Sequence, residues 1–104
     1  MTTEEKQTQE KQNDNTVFIG TKPFMTYVTS VVLQFTAQNR NEVFIKARGK
    51  FITKAVDVAE VVKRRFLENQ KVEVSDIKID SEDFENKQGK RVNVSAIEIT
   101  LVKK

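Results

Sequence analysis

Lys46, Arg48, Lys50 and Lys54 lie within nine residues, around Gly49, in the stretch "VFIKARGKFITKAVDVAEVVKRRF". The stretch reads as a strand, a turn at Arg48-Gly49-Lys50 and a long apolar helix. A bare turn needs only the glycine. Backbone N–H groups at a helix start attract phosphate, and flanking cations strengthen that attraction. Lys22 stands at the other strand-to-helix turn, just before Pro23. If the two strands lie side by side, both turns emerge at one sheet edge. Lys22, Arg48, Lys50 and Lys54 then make one basic surface. Any one of these lysines alone reads as a solubility residue; their convergence carries the functional reading.

Lys87, Lys90 and Arg91 surround Gly89 at the tip and return of a second candidate site, a hairpin. A basic two-stranded ribbon can reach into a groove. A mobile polar loop has the same composition, and Glu82, Asp83 and Glu85 oppose a uniformly cationic arm. Asp80, Glu82, Asp83 and Glu85 lack the glycine and spacing of a calcium loop and read as a solvated acidic loop. Lys63, Arg64 and Arg65 suit the dipole of a last helical turn.

Gly49-Lys50 is not a phosphate-binding P-loop. No glycine stands five residues before Gly49, and Phe51 replaces the required Ser or Thr. The chain has no cysteine and no histidine. Disulfides, thiol nucleophiles, imidazole proton shuttles and nearly every zinc site are thereby removed. No cofactor is expected. An enzyme ranks last, with carboxylate-only chemistry its one open route.

The elements that must position these residues fit one domain, since 104 residues allow one modest core. Residues 1–15 contain a single apolar residue, Met1, and carry a net charge of −2. They read as a disordered acidic tail. The total charge is +3, so the expected domain, 16–104, holds +5. A basic body behind an acidic tail fits a nucleic-acid binder, but charge alone does not separate it from a soluble domain with surplus lysine. No apolar run approaches the roughly 20 residues that cross a bilayer, so no membrane partner is expected. No signal peptide is visible at the polar start, and the absence of cysteine suits a reducing cytoplasm.

Six elements are expected: β1 (16–20), α1 (23–38), β2 (42–47), α2 (51–67), β3 (71–80) and β4 (91–102). Pro23 is placed at the first position of α1. Thr26, Ser30, Gln34 and Gln38 recur every four residues and mark its wet stripe. The apolar run of β2 implies burial on both faces. In α2, Ile52, Ala55, Val56, Ala59, Val62 and Phe66 form the main apolar face. Phe51, Val58 and Val61 widen it, which favours a partner. Both β3 and β4 change parity midway: Val72 and Val74 against Ile77 and Ile79, Val92 and Val94 against Ile97, Ile99 and Leu101. A bulge is expected near Ser75-Asp76 and another near Ser95-Ala96, with the distal half of the hairpin burying its other face. The connection "SEDFENKQGK" reads as a long charged loop. The fold class is α/β, with right-handed β-α-β steps and a final antiparallel pair.

"VFIGTKPFMTYV", "EVFIKARGKFITKAVDVAEVVKRRF" and "VNVSAIEI" resemble the Alba family of archaeal chromatin proteins, over about Val17 to Lys103. The resemblance implies a two-layer β1-α1-β2-α2-β3-β4 sandwich with a small mixed sheet. That fold is like the C-terminal domain of initiation factor three, with an extended β3–β4 arm. It also implies a homodimer that coats and compacts double-stranded DNA with little sequence preference, and an RNA-binding role as the alternative. The implied location is the chromosome within the cytoplasm. By that pattern Lys22, Arg48, Lys50 and Lys54 are body contacts, Lys87, Lys90 and Arg91 belong to the arm, and Phe66 joins neighbouring dimers. Thr21 stands where the family often has a first lysine, the one linked to acetylation. A protein–protein scaffold built on the α2 face and Phe66 is a third reading.

Overall fold

The computed structural model describes residues 15–66 and 71–103, with the side chain of Phe66 excluded. The elements are β1 (Thr16–Phe18), α1 (Phe24–Thr36), β2 (Glu42–Arg48), α2 (Ile52–Val61), β3 (Val72–Glu85) and β4 (Arg91–Lys103). A short 3-10 turn, Gly49–Phe51, leads into α2, and a π-helical segment, Val62–Phe66, follows it. No described helix is long and apolar enough to cross a membrane.

The strands form one mixed sheet in the order β1-β2-β4-β3. β1 is parallel to β2, with Val17 level with Ile45. β4 is antiparallel to both β2 and β3, so it returns between two strands that run the same way. Period-2 alternation sends Val43, Ile45 and Ala47 of β2 to one face. Val17 and Ile19, Ile99 and Leu101, and Val72 share that face by register and are buried. Both helices cover it, and Val28, Val31, Phe35, Ala55, Val58 and Val62 complete the core with no exposed surface. The outer face stays open. Phe44 and Lys46 are only half-buried there and Arg48 is exposed, so β2 is not buried on both faces as expected. One layer of two helices cannot cover a second side.

Several expected details differ. Pro23 is the cap (φ −58°, ψ 149°), and Phe24 begins the helix. Gln34 is buried, because a repeat of four advances 40° per step beyond a full turn and carries the stripe toward the core. In α2 the buried set is Ala55, Val58, Ala59 and Val62, whereas Val56 is 41% exposed. The i, i+3, i+4, i+7 positions share a face, and Val56 lies off it. Lys63 and Arg64 fold back onto Glu60, at 3.4 and 2.9 Å. The Arg64 hydrogen bond, ahead of the Lys63 contacts, holds the Glu60 carboxyl below its ordinary range.

The parity change in β3 is a bulge between Val74 and Asp76. It does not turn the distal half over. Val74 faces Leu101 before the bulge and Ile77 faces Ile99 after it, so both lie on the helix side. The extra residue keeps Val72, Val74, Ile77 and Ile79 on one face although their spacing is odd. β4 pairs without interruption, so no second bulge exists; Val92 and Val94 lie on the outer face, opposite Ile97, Ile99 and Leu101. The helices end short of the arm, which leaves Ile77 57% and Ile79 79% exposed.

β3 runs to Glu85, through half of the expected loop. The true connection is the turn Asn86–Lys90. Asn86 donates its N–H to the Lys90 carbonyl at 2.8 Å, and its Oδ1 accepts from the N–H of Gln88 and Lys90. Gly89, at φ +81°, supplies the left-handed residue that a three-residue hairpin loop requires.

Replacing Phe35, fully buried under the sheet, by Ala should lower unfolding free energy by about 3–5 kcal/mol. Equilibrium urea unfolding would measure this, and a loss under 1 kcal/mol (roughly the scale of a surface change) would contradict the central place given to that ring.

Candidate nucleic-acid interface

The parallel pairing of β1 with β2 sets the site. Ile19 donates its N–H to the Lys46 carbonyl at 2.9 Å, so Gly20 and Arg48 leave the sheet at one edge. Both strand-to-helix turns therefore emerge together. The Gly20–Lys22 turn is wrapped around Tyr27, whose ring is buried and whose hydroxyl accepts from the N–H of Gly20 at 2.9 Å and Lys22 at 3.0 Å. A Cβ on Gly20 would meet that hydroxyl at 3.3 Å, closer than most side chains approach. Lys54, one turn into α2, donates its ammonium to the carbonyls of Gly20 at 2.8 Å and Lys22 at 2.6 Å. The same ammonium stands 5.1 Å from the centre of the Tyr27 ring.

The four body cations consequently differ in situation. Lys22 and Lys50 are exposed at the edge, and neither ammonium has a hydrogen-bond or ion-pair partner among the described residues; Lys50 lies 5.5 Å from the Phe51 ring. Lys54 joins the two turns. Arg48 turns toward the outer face, where its Nε donates to Glu82 Oε1 at 2.9 Å and its guanidinium sits 6.0 Å from the Phe84 ring. The Arg48–Glu82 pair is more than a third exposed on both sides, and such pairs contribute about 0–1 kcal/mol. A phosphate can displace it.

The outer face is not uniformly basic. Lys46 pairs with Glu98 at 3.6 Å and stands 5.7 Å from Phe18. With Arg48, Lys78, Asp80 and Glu82 they line an open basin of about 940 Å³. On the arm, strand alternation sends Asp80 and Glu82 to this face and Asp83 and Glu85 to the other, so the acids form no single cluster. No group of carboxylates among the described residues is arranged to hold a metal ion.

Lys87 and Lys90 are exposed at the arm tip. Arg91 lies just inside it, 3.9 Å from Asp83, which also accepts from Asn93 Nδ2 at 2.7 Å. The arm tip and the body edge are separate basic surfaces. The side chain of Phe66, expected as a contact between dimers, lies outside the described residues, as does most of the expected acidic tail. Asn15 is already tied to β2, accepting from the Phe44 N–H at 2.8 Å.

Tyr27, Phe18 and Phe84 lie outside the sequence reading of these surfaces, whereas Lys46, counted there among the four cations near Gly49, pairs with Glu98 on the outer face. Phe18 and Phe84 had a signal in the sequence: each sits at the parity opposite its apolar neighbours, which puts an aromatic on the open face. Tyr27 had none, since a buried tyrosine at helical spacing reads as core.

Comparison with known proteins agrees with this architecture. The Alba family model matches residues 15–81. "DNA/RNA-binding protein Alba 1" of Archaeoglobus fulgidus is 54% identical over 91 residues, covering 88% of this chain and 98% of that protein. "DNA/RNA-binding protein Alba" of Nanoarchaeum equitans is 58% identical over 89 residues, covering 85% and 97%. The solved structure of Alba from Thermoplasma volcanium superposes with a TM-score of 0.76 at 46% identity, covering 84% of this chain and 98% of that one. ALBA1 from Trypanosoma brucei superposes with a TM-score of 0.65 at 26% identity, covering 86% and 68%. With its sheet order, its paired basic turns and this extent of identity, the chain belongs to the Alba family.

Proposed function

We propose that the protein is an architectural nucleic-acid binder. It coats and compacts double-stranded DNA as a homodimer, without sequence preference, and binds RNA through the same phosphate-directed contacts. The observation that carries this reading is the meeting of two strand-to-helix turns at one sheet edge, where Lys22 and Lys50 are exposed beside two helix starts. The arm tip adds Lys87 and Lys90, exposed in the turn between β3 and β4. The names of the relatives, DNA/RNA-binding proteins, support both targets. Lys22, Lys50, Lys87 and Lys90 present point charges and not the planar fork that reads a base edge, so affinity rests on phosphate neutralisation. The protein then resides on the chromosome.

Dimerisation is supported by the apolar ridge on the helix side of the arm. Ile77 and Ile79 are exposed there, and a groove lined by Ile52, Ile79, Ser81, Ser95 and Ile97 adjoins them. A second copy would cover this ridge and set two arms apart on one duplex. Cooperative coating rests on contacts between such dimers.

With roughly 6–8 phosphate contacts per dimer, log K should fall against log salt with a slope on the order of −6 on duplex DNA. Fluorescence anisotropy at four salt concentrations tests this, and a nearly flat line rejects the reading. Ile79→Asp should shift the protein from dimer to monomer in analytical ultracentrifugation; an unchanged dimer would place the interface elsewhere.

Glu82→Gln frees Arg48 and should tighten duplex binding about 3-fold or more, with a slope steeper by about 2 for a dimer. Glu85→Gln, which removes the same charge from the other face, serves as the control. An equal response in both variants would show that only net arm charge matters.

A further inference from the structure

We infer that Lys54 is a positioning residue for Lys22 and not itself a phosphate contact. The inference rests on the nucleic-acid reading above and refines it. An ammonium has three N–H donors and no acceptor. In Lys54 two of them go to the carbonyls of Gly20 and Lys22, and the charge lies over the Tyr27 ring. That leaves little of its donor capacity for a ligand. Lys22, by contrast, has an exposed side chain whose own backbone is gripped twice: its carbonyl by Lys54 and its N–H by the Tyr27 hydroxyl.

The Gly20–Lys22 turn thus has both kinds of backbone group held from within. Two N–H groups point at one hydroxyl, and two carbonyls point at one ammonium. The ends of this clamp come from different elements, Tyr27 from α1 and Lys54 from α2. It therefore fixes the first basic turn relative to the second. It also turns two electronegative carbonyls toward an ammonium and away from an incoming phosphate. A cation held on a fixed backbone loses less conformational freedom when it meets its phosphate. Thr21, exposed between the two gripped residues, is held at the same edge. Removing Lys54 therefore acts through Lys22, which separates it from a cation that touches the ligand.

A double-mutant cycle with a salt series tests this on duplex DNA, using the full chain. Lys22→Ala should weaken binding roughly a hundredfold, the loss of about one charge-assisted contact from each protomer of a dimer, and flatten the salt slope by about 2. Lys54→Met should weaken binding in the unaltered background and have no further effect in Lys22→Ala, so that the double variant has the slope and affinity of Lys22→Ala alone. If the double variant instead loses a further ~2 of slope and the two affinity losses multiply, Lys54 meets phosphate itself and the inference is overturned. Tyr27→Phe removes no charge and keeps the ring. It should weaken binding only when Lys22 is present, and full affinity in this variant would also overturn the inference. In free protein, amide exchange at Gly20 and Lys22 should accelerate in both Tyr27→Phe and Lys54→Met; unchanged protection would mean that no clamp operates. Absence of DNA and RNA binding by the unaltered chain would overturn both readings, whereas strong binding with additive losses overturns this one alone.

Discussion

The pairing of β1 with β2 is the constraint on which the other features depend. The two strands are parallel, and Val17 and Ile45 enter the core at the same level. Parallel neighbours need a crossover, which α1 supplies, and the crossover forces both strands to exit the sheet at the same edge. A helix start follows each exit. The fold therefore brings two helix starts and their flanking lysines to one place. β4 then enters between β2 and β3, which puts β3 at the sheet edge and lets the β3–β4 pair run past the helices as an arm.

Electrostatics on this scaffold depends on where each charge is held more than on how many there are. The folded body has an excess of positive charge, yet its outer sheet face pairs Lys46 with Glu98 and Arg48 with Glu82. Lys54 is directed inward to two carbonyls. Among the described residues, Lys22 and Lys50 at the body edge and Lys87 and Lys90 at the arm tip are exposed cations without an ion-pair or carbonyl partner. Both exposed sets follow a glycine-containing turn or flank one, where main-chain geometry holds the side chain out. Ionic strength acts on such exposed cations directly, while the Lys54 clamp, half-buried and hydrogen-bonded, is screened less.

The bulge at Ser75 shows how a sequence pattern can be correct about geometry and misleading about its purpose. Period-2 reasoning locates the irregularity at the right residue. The same reasoning assigns the residues beyond it to the opposite face. In the sheet the inserted residue cancels the odd spacing, and four apolar side chains share the helix side. Two of them pack on the core, and two lie beyond the helices on an open ridge. Val92 and Val94 of β4 do change face, because β4 has no compensating bulge.

The chain by itself determined the element order, the two helix periods, the bulge position and the location of both basic turns, because each depends on local spacing and turn chemistry. It also excluded imidazole and thiol chemistry, which is a matter of composition. The sequence did not indicate that β3 continues through Ser81–Glu85, since a charged alternating segment forms a strand only when a partner such as β4 lies beside it. Nor did it reveal that Val56 faces outward, that Gln34 faces inward, or that Arg48, Lys50 and Lys54 of one short segment have three different surroundings. Those outcomes depend on residues distant in sequence: Glu82 and Phe84 for Arg48, Gly20, Lys22 and Tyr27 for Lys54. Long-range partners are fixed by how the layers pack, and only the tertiary structure could decide which cations face solvent.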